Sequence, residues 1–313
     1  MKPKLNKRRK LLGRVSDSDM HLFRVFCAVV NCGGFSAAQG ELGVGRSTIS
    51  RQISHLETRL GYMLCHRGRS GFVLTQHGEQ AFALIEKFLS ASEQFTADMA
   101  AINDDFVGRL NIAIVDYCFT DKRNPVLPAI REFRMFAPRV EINLVVDSPN
   151  AIERGILDGS LHLGVLPVYR QLEELIYTEL YEETASLYAG LSHPLVEELR
   201  ADAELPIDRI TRHELVFRGY LEGEKLLKFK QQFRRGPTVL QTEAQAALIH
   251  AGAYLGFLPR HAAHADLVCV RPEVFDHSAS ICVAVSRGRR RSMIAGAFLE
   301  RLQEGSASHA QRG

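Results

Sequence analysis

No apolar run in the 313-residue chain approaches the roughly 18 to 20 residues that cross a bilayer as a helix. The basic opening, "MKPKLNKRRKLLGRVSD", leads into no apolar segment of the kind a signal sequence carries, so a cytoplasmic protein is expected. The six cysteines, at positions 27, 32, 65, 118, 269 and 282, form no CxxC pair and no zinc-like spacing. In a reducing compartment they read as free and structural. Catalytic signatures are missing too: there is no GxSxG, HExxH, Walker loop or paired-carboxylate motif, so neither an enzyme nor a resident cofactor is expected. His261 and His264 stand three apart after "GFLPR" without an evident third ligand, and they read as loop histidines with no metal.

What is present suits two or three soluble units. Hydrophobic residues make up 46% of the chain and charged residues 24%, enough for packed cores under an ordinary polar surface. The charge is unevenly placed. Residues 1–75 hold 13 Lys plus Arg against 4 Asp plus Glu, a balance of +9, whereas the remainder balances to −6. A basic first quarter on an acidic body is the footprint of one end meeting a polyanion.

Within that basic quarter three short helices are legible. Residues 18–30 carry an apolar side and stop at "NCGG"; a second helix starts at Ser36, where "SAAQ" matches a capping box. The turn "GVG", with Gly45 as N-cap, leads into "RSTISRQISHLETRLG". There Ile49, Ile53, Leu56 and Leu60 line one face and Gly61 ends the helix. The other face presents Arg46, Ser47, Thr48, Ser50, Arg51 and Ser54 outward. Alone, that face could be merely solvated. Two helices around a glycine-containing turn form a helix-turn-helix, whose second helix enters the major groove of duplex DNA. Guanidinium groups and hydroxyls then reach base edges or phosphates. Beyond Gly61, "YMLCHRGRSGFVLT" reads as a hairpin with Arg67 and Arg69 near its tip, either a solvated turn or a phosphate-binding wing.

The order "GGFSAAQGEL", "SRQISHLETRLG" and "LCHRGRSGFVLTQHGE" resembles the winged helix-turn-helix of LysR-type transcriptional regulators, contiguously over about 60 residues. Gly40 inside the second helix, Gly45 in place of a serine cap and "LCHR" for a commoner "LFxR" depart from the family pattern. The resemblance implies DNA contacts from Ser36, Arg46, Ser47, Thr48, Ser50, Arg51, His55, Arg67 and Arg69.

From Thr75 no breaker intervenes until about Asp105, and Ala81, Ile85, Phe88, Ser92, Phe95, Met99 and Ile102 alternate at spacings of four and three. This heptad seam, broken only by Ser92, runs along a helix of roughly 43 Å. It pairs with a second chain or packs on its own body. The family resemblance favours pairing through Ala81, Ile85, Phe88, Phe95, Met99 and Ile102.

Past residue 108, strand-like runs ("RLNIAIV", "RVEINLVV", "LHLGVL") alternate with helical segments. A second set follows from "ELVFRG", through a helix over 222–235, to "PTVLQ", "TEAQAALIHAG", "AYLGFLP" and "ADLVCV". Such alternation predicts mostly parallel βαβ units. "TASLYAGL" and "ASICVAVS" read as crossovers between two lobes, and a final helix near 291–303 returns to the first. The pieces "LPAIREFRMFAPRVEINL", "GILDGSLHLGVL", "SHPL" and "AGAYLGFLPRHA" resemble the family's effector domain, which has the fold of periplasmic solute-binding proteins. Ligands sit in the cleft at strand C-termini. The candidates there are Tyr117, Cys118, Thr120, Ser148, Asn150, Pro167, Val168, Arg218, Gly219 and Thr242, each equally readable as ordinary capping or loop chemistry. Helix N-termini among them suggest a small carboxylate with Arg218 as counter-charge.

The expected architecture is therefore a multidomain α+β protein: a winged helix-turn-helix, a long linker helix and a two-lobed α/β effector domain. The expected boundaries are a basic, disordered tail at 1–15, the winged domain at 16–75, the linker at 76–105 and the effector domain at 108–313. Its lobes take 108–182 with 283–305, and 183–282. Function follows as a sequence-specific transcriptional regulator modulated by a small-molecule effector. Its partners are double-stranded DNA, itself as homodimer or homotetramer, the effector and RNA polymerase, with no membrane. The rivals are a solute-binding protein without DNA function, a nucleoid-type scaffold and a thiol-sensing regulator using Cys118, which lies in the first cleft loop.

Overall fold

The computed structural model describes residues 14–68, 71–103, 105–220, 222–288 and 291–310. The chain divides into two compact units, Met1–Phe95 and Thr96–Gly313. The basic tail up to residue 13 and the tip residue Arg69 lie outside the described residues, as does the side chain of Arg67.

The first unit contains α1 (Asp17–Asn31), α2 (Ala38–Leu42), α3 (Arg46–Leu60), the antiparallel hairpin β1 (Cys65–Gly68) and β2 (Gly71–Leu74), and the start of α4 (Gln76–Ala101). A capping box opens α1, where Ser16 N donates to Asp19 Oδ2 at 2.9 Å and Asp19 N donates to Ser16 Oγ. The box expected at Ser36 does not form. The chain is already turning there, with Ala38 N on Gly34 O, so Ala37 is the N-cap and Ser36 precedes it. Gln39 works instead as a tie: its amide donates to Ser36 O, and its Oε1 accepts Arg46 N at 3.0 Å, fastening α2 to the first residue of α3. Gly45 takes the N-cap of α3, and Gly61 ends it at φ 81°, where a side chain would be strained. Leu22, Phe23, Phe26, Ile49, Ile53, Leu56 and Leu64 form the core. Gly78 lets α4 pass over Leu64, because an added Cβ would fall 1.9 Å from Leu64 O.

The seam of α4 is split. Ala81 and Ile85 are buried in the first unit's own core, so they are corrected from pairing residues to packing residues. The physical reason is that the first turns of α4 cover the α1–α3 layer. Phe88 meets Phe23 edge to face at 6.0 Å and remains 40% exposed. Phe95, Met99 and Ile102 are exposed large hydrophobics at 67%, 52% and 66%.

The second unit runs β3 (Val107–Ile114), α5 (Val126–Phe136), β4 (Arg139–Val146), α6 (Pro149–Asp158), β5 (Leu163–Val168), β6 (Leu175–Gly190), α7 (Pro194–Ala201), α8 (Ile207–Ile210), β7 (Glu214–Arg218), α9 (Glu224–Lys230), β8 (Arg234–Val239), α10 (Thr242–His250), β9 (Leu255–Pro259), β10 (Leu267–Cys269), α11 (Pro272–Phe275), β11 (His277–Ser286) and α12 (Met293–Ala310). One nine-stranded sheet follows the order β4-β3-β5-β11-β6-β9-β7-β8, with β10 on β6. It is mixed rather than mostly parallel. β3 pairs in parallel with β4 and β5, and β7 with β8 and β9, while the crossovers β6 and β11 run antiparallel to each other and to their neighbours. Two α/β sets are thus joined by two long antiparallel strands. Separate cores lie on each set, one around Leu110, Phe133 and Phe298, the other around Leu187, Leu255 and Phe275. Between Ile281 and Cys282 the β6–β11 register shifts: Tyr181 faces Ile281 and Glu179 faces Cys282, leaving Leu180 as the extra residue of a bulge. Its carbonyl accepts from Ser306 Oγ of α12 at 2.5 Å.

Candidate DNA-facing helix and effector cleft

In α3 the apolar face is fully used, with Ile49, Ile53 and Leu56 each at 0% exposure. Arg46, Ser47, Arg51 and His55 are exposed, and Thr48 and Ser50 are half-buried. Ser54 and Thr58 donate to carbonyls one turn back, at Ser50 and Ser54, which keeps those hydroxyls against the helix. Arg46 and Arg51 form no ion pair among the described residues, and no acidic residue sits in the first turn. Arg59 is different. Its guanidinium is spent on buried Asp19 at 2.7 Å, bolting α3 to α1. Two unspent cations on an outward helix face are what a polyphosphate surface requires. Glu57 Oε1 accepts Leu64 N at 2.8 Å, fixing where the hairpin departs from α3. Ser36, also exposed, precedes α2.

In the second unit the candidates fall into three groups. The loop after β3 and the start of α10 meet directly. Asp116 Oδ1 accepts Thr242 Oγ1 at 2.9 Å, and Oδ2 accepts the backbone N–H groups of Thr242 and Glu243. Thr242 is therefore the first helical residue, not the cap; Gln241 is the N-cap, and its side chain makes no cap bond. The anion position at this helix end is filled by a carboxylate of the chain itself.

A second group surrounds Arg218, the last residue of β7. Its Nε donates to Gln245 Oε1 at 2.9 Å, and Nη1 donates to the Tyr220 hydroxyl. Burial works against the charge, but the facing Tyr220 and Tyr169 oxygens and the Glu222 carboxylate outweigh it and raise the guanidinium's pKa. Glu222 itself is taken by Lys230, both nearly fully buried. No carboxylate lies at ion-pair distance from Arg218 among the described residues. Gly219 is exposed and closes the strand end by donating to Val239 O at 2.8 Å.

The third group is one that sequence reasoning dispersed. His261 Nδ1 meets Thr120 Oγ1 at 2.7 Å and Nε2 meets Glu183 Oε1 at 2.9 Å, with Asp121 Oδ2 at 3.8 Å. Asp121, Glu183 and His261 place ligand atoms within 4.8 Å of one another, so His261 has the carboxylate neighbours that its sequence context did not reveal. Arg123 grips both oxygens of Asp121 at 3.0 and 2.7 Å, so that carboxylate has its own cation.

The remaining candidates are corrected or placed as follows. Pro167 and Val168 are rungs of β5 opposite Ile281 and Ser280, not loop residues after it; the strand is longer because β11 pairs with it. Tyr169 follows them and stands against Gly223. Tyr117 is held at φ 58° at the start of a 3-10 turn, Cys118–Thr120. Ser148 is the N-cap of α6, with no side-chain cap bond, and Asn150 is exposed in its first turn. Cys118 is 2% exposed, and burial pushes its thiol up to about 12, which removes the support for the thiol-sensing alternative. Asp116, Tyr169, Tyr220 and Gln245 were missed. Asp116 carries a signal in the sequence, a carboxylate at a strand end in "DYCFTD".

A winged helix-turn-helix joined by a long helix to a two-set α/β body defines the class of ligand-responsive DNA-binding regulators. Residues 20–79 match the model for bacterial regulatory helix-turn-helix proteins of the lysR family, and residues 103–307 match the LysR substrate binding domain. The chain belongs to the LysR family of transcriptional regulators. It is 36% identical over 295 residues to the HTH-type transcriptional activator BauR of Pseudomonas aeruginosa, covering 92% of this chain and 96% of that one. It is 27% identical to the probable regulator LrrA of Synechococcus elongatus, covering 82% and 85%. Among solved structures, full-length CbnR complexed with its target DNA shares the fold at TM-score 0.65 and 20% identity, over 91% of this chain and 99% of that one. The chain is thus a DNA-binding transcriptional regulator with an effector-binding domain. Among the described residues no helix is long and apolar enough to cross a membrane.

Proposed function

We propose that the chain acts in the cytoplasm, without catalysis, as a ligand-controlled activator that grips an operator with paired α3 helices. The observation that carries this is the outward face of α3, where Arg46 and Arg51 have no counter-charge among the described residues. Arg46 and Arg51 address guanines or phosphates, Ser47, Thr48, Ser50 and His55 adjoin them, and Ser36 with Arg67 and Arg69 holds flanking backbone. The exposed end of α4, with Phe95, Met99 and Ile102 beside Phe88, joins two chains, and pairs of dimers make a tetramer. Activation, proposed from the name of the BauR relative, places RNA polymerase beside the bound protein.

The effector is a small molecule with an acidic group. Arg218 is its counter-charge, and Tyr117, Thr120, Ser148 and Asn150 border the same cleft. Binding there shifts the two α/β sets and, through α4, the spacing of the DNA-facing helices. DNase footprinting upstream of the protein's own coding sequence, with wild type and Arg51→Ala, tests the reading. The expected result is protection over about five helical turns, lost in the variant. A folded, oligomeric sample that protects nothing and binds no random duplex at low salt would remove the regulator reading of these residues.

A further inference from the structure

Arg218 stands out by what surrounds it. Asp121 is held by Arg123, Glu183 by His261, and Glu222 by Lys230. The fourth carboxylate, Asp116, sits on the N-terminus of α10 and takes two backbone N–H groups and the Thr242 hydroxyl. Each of these anion-attracting positions already holds an acid of the chain. These groups are neighbours: Tyr220 feels both Asp116 and Arg218, and Tyr169 feels Arg218 and Glu183. Gln245, which orients Arg218, lies three residues beyond Thr242, about 4.5 Å along the same helix. Of Arg123, Lys230 and Arg218, only Arg218 has no carboxylate partner; its hydrogen-bond partners, Gln245 and Tyr220, are neutral.

We propose that Asp116 sets the charge specificity of the cleft: by occupying the α10 N-terminus it leaves Arg218 as the single anion position, so the effector carries one acidic group and ligands with a second are refused. This rests on the proposed role of Arg218. The physical basis is substitution. A helix of nine residues with two N–H groups and a hydroxyl converging at its end accepts an anion readily. Here it cannot accept one from solution, because the anion is tethered to the loop after β3. A second carboxylate brought beside Arg218 would approach Asp116, which holds the same helix one turn away, in a partly desolvated cleft where like charges repel far more than in water. Gln241 offers the helix no side-chain cap of its own, so the position depends on Asp116.

The test uses full-length protein and inorganic sulfate as the dianionic probe, titrated against chloride at matched ionic strength and read by calorimetry and thermal unfolding. Wild type is expected to show no sulfate-specific binding. Asp116→Ala should gain saturable sulfate binding, about tenfold or more above the detection limit at which wild type shows none, since one adjacent charge has been removed. Asp116→Asn keeps an acceptor for Thr242, protects the fold, and should show a smaller gain. If both variants fold and neither gains affinity, or if wild type binds sulfate as tightly as the variants, the proposal is overturned. If Asp116→Ala does not fold, Asp116→Asn decides alone. Arg218→Gln, added to whichever variant gains, separates the two readings. Loss of the gain supports both; a gain that survives keeps the role of Asp116 and removes that of Arg218.

Discussion

His193 starts α7 with its ring as the cap, Nδ1 accepting Leu195 N at 3.1 Å, in a site where the residue is 3% exposed. Burial, helped by the neighbouring His213 ring, lowers its pKa to about 4. The folded value lies below that of the unfolded chain, so the unfolded state takes up the proton first. Stability is therefore complete above the ordinary histidine range and falls as pH drops from about 6.5 towards 4. His213, also lowered by burial, adds in the same direction. Thermal unfolding across pH 4 to 8 should show this loss, and His193→Asn, which can still cap, should flatten it while changing little at pH 8. An unchanged slope in the variant would assign the acid loss elsewhere. At this scale the sequence is legible where a side chain's role follows from its own element. Arg46 and Arg51 are outward because Ile49 and Ile53 are inward. It is silent on Asp116 with Thr242 and Thr120 with His261, partners 126 and 141 residues apart, since no local period encodes such a pairing.

Elements vary in the same way. β4 is found at Arg139–Val146, where the run "RVEINLVV" put it, because Val140, Ile142, Val145 and Val146 are β-branched residues that favour a strand. The helix expected over 222–235 shrinks to Glu224–Lys230, as Arg234 and Arg235 are claimed by pairing with Glu214 and Leu215 of β7. In α4 the heptad period was readable, but which part of it the chain buries for itself was not. That division makes a contrast measurable. Ile85→Ala should cost about 2 to 4 kcal/mol in urea unfolding of the first unit and leave self-association intact. The pair Phe95→Ala and Met99→Ala should weaken association in sedimentation equilibrium while leaving that unfolding transition in place. Equal effects from both would mean that the exposed end of α4 is not the pairing surface.

For the whole molecule, the division of charge into +9 over residues 1–75 and −6 beyond them has a kinetic and a thermodynamic side. The basic end draws DNA while the acidic body is repelled by it, which orients encounters. Affinity should then fall steeply with salt, by a slope of about 0.9 per phosphate neutralised. Arg51→Ala should make that slope shallower by about 2 for a dimer, read by fluorescence anisotropy between 50 and 200 mM salt. An affinity loss with an unchanged slope would assign Arg51 to a base rather than a phosphate. β6, one of the two strands that join the α/β sets, adds a constraint of another kind. Before Leu180, odd-numbered Leu175 and Tyr177 join the cluster around Ile152 and Ala284; after it, Tyr181 joins the opposite cluster, and Leu187 and Ala189 follow in the same alternation. β6 is thus read in two frames, and Leu180 is the shift between them. Substitutions along the strand change how well it packs, but an insertion or deletion anywhere between Leu175 and Gly190 changes which side of it is inside. The length of that segment is fixed to the residue, a restriction on the gene's spacing that no single side chain imposes.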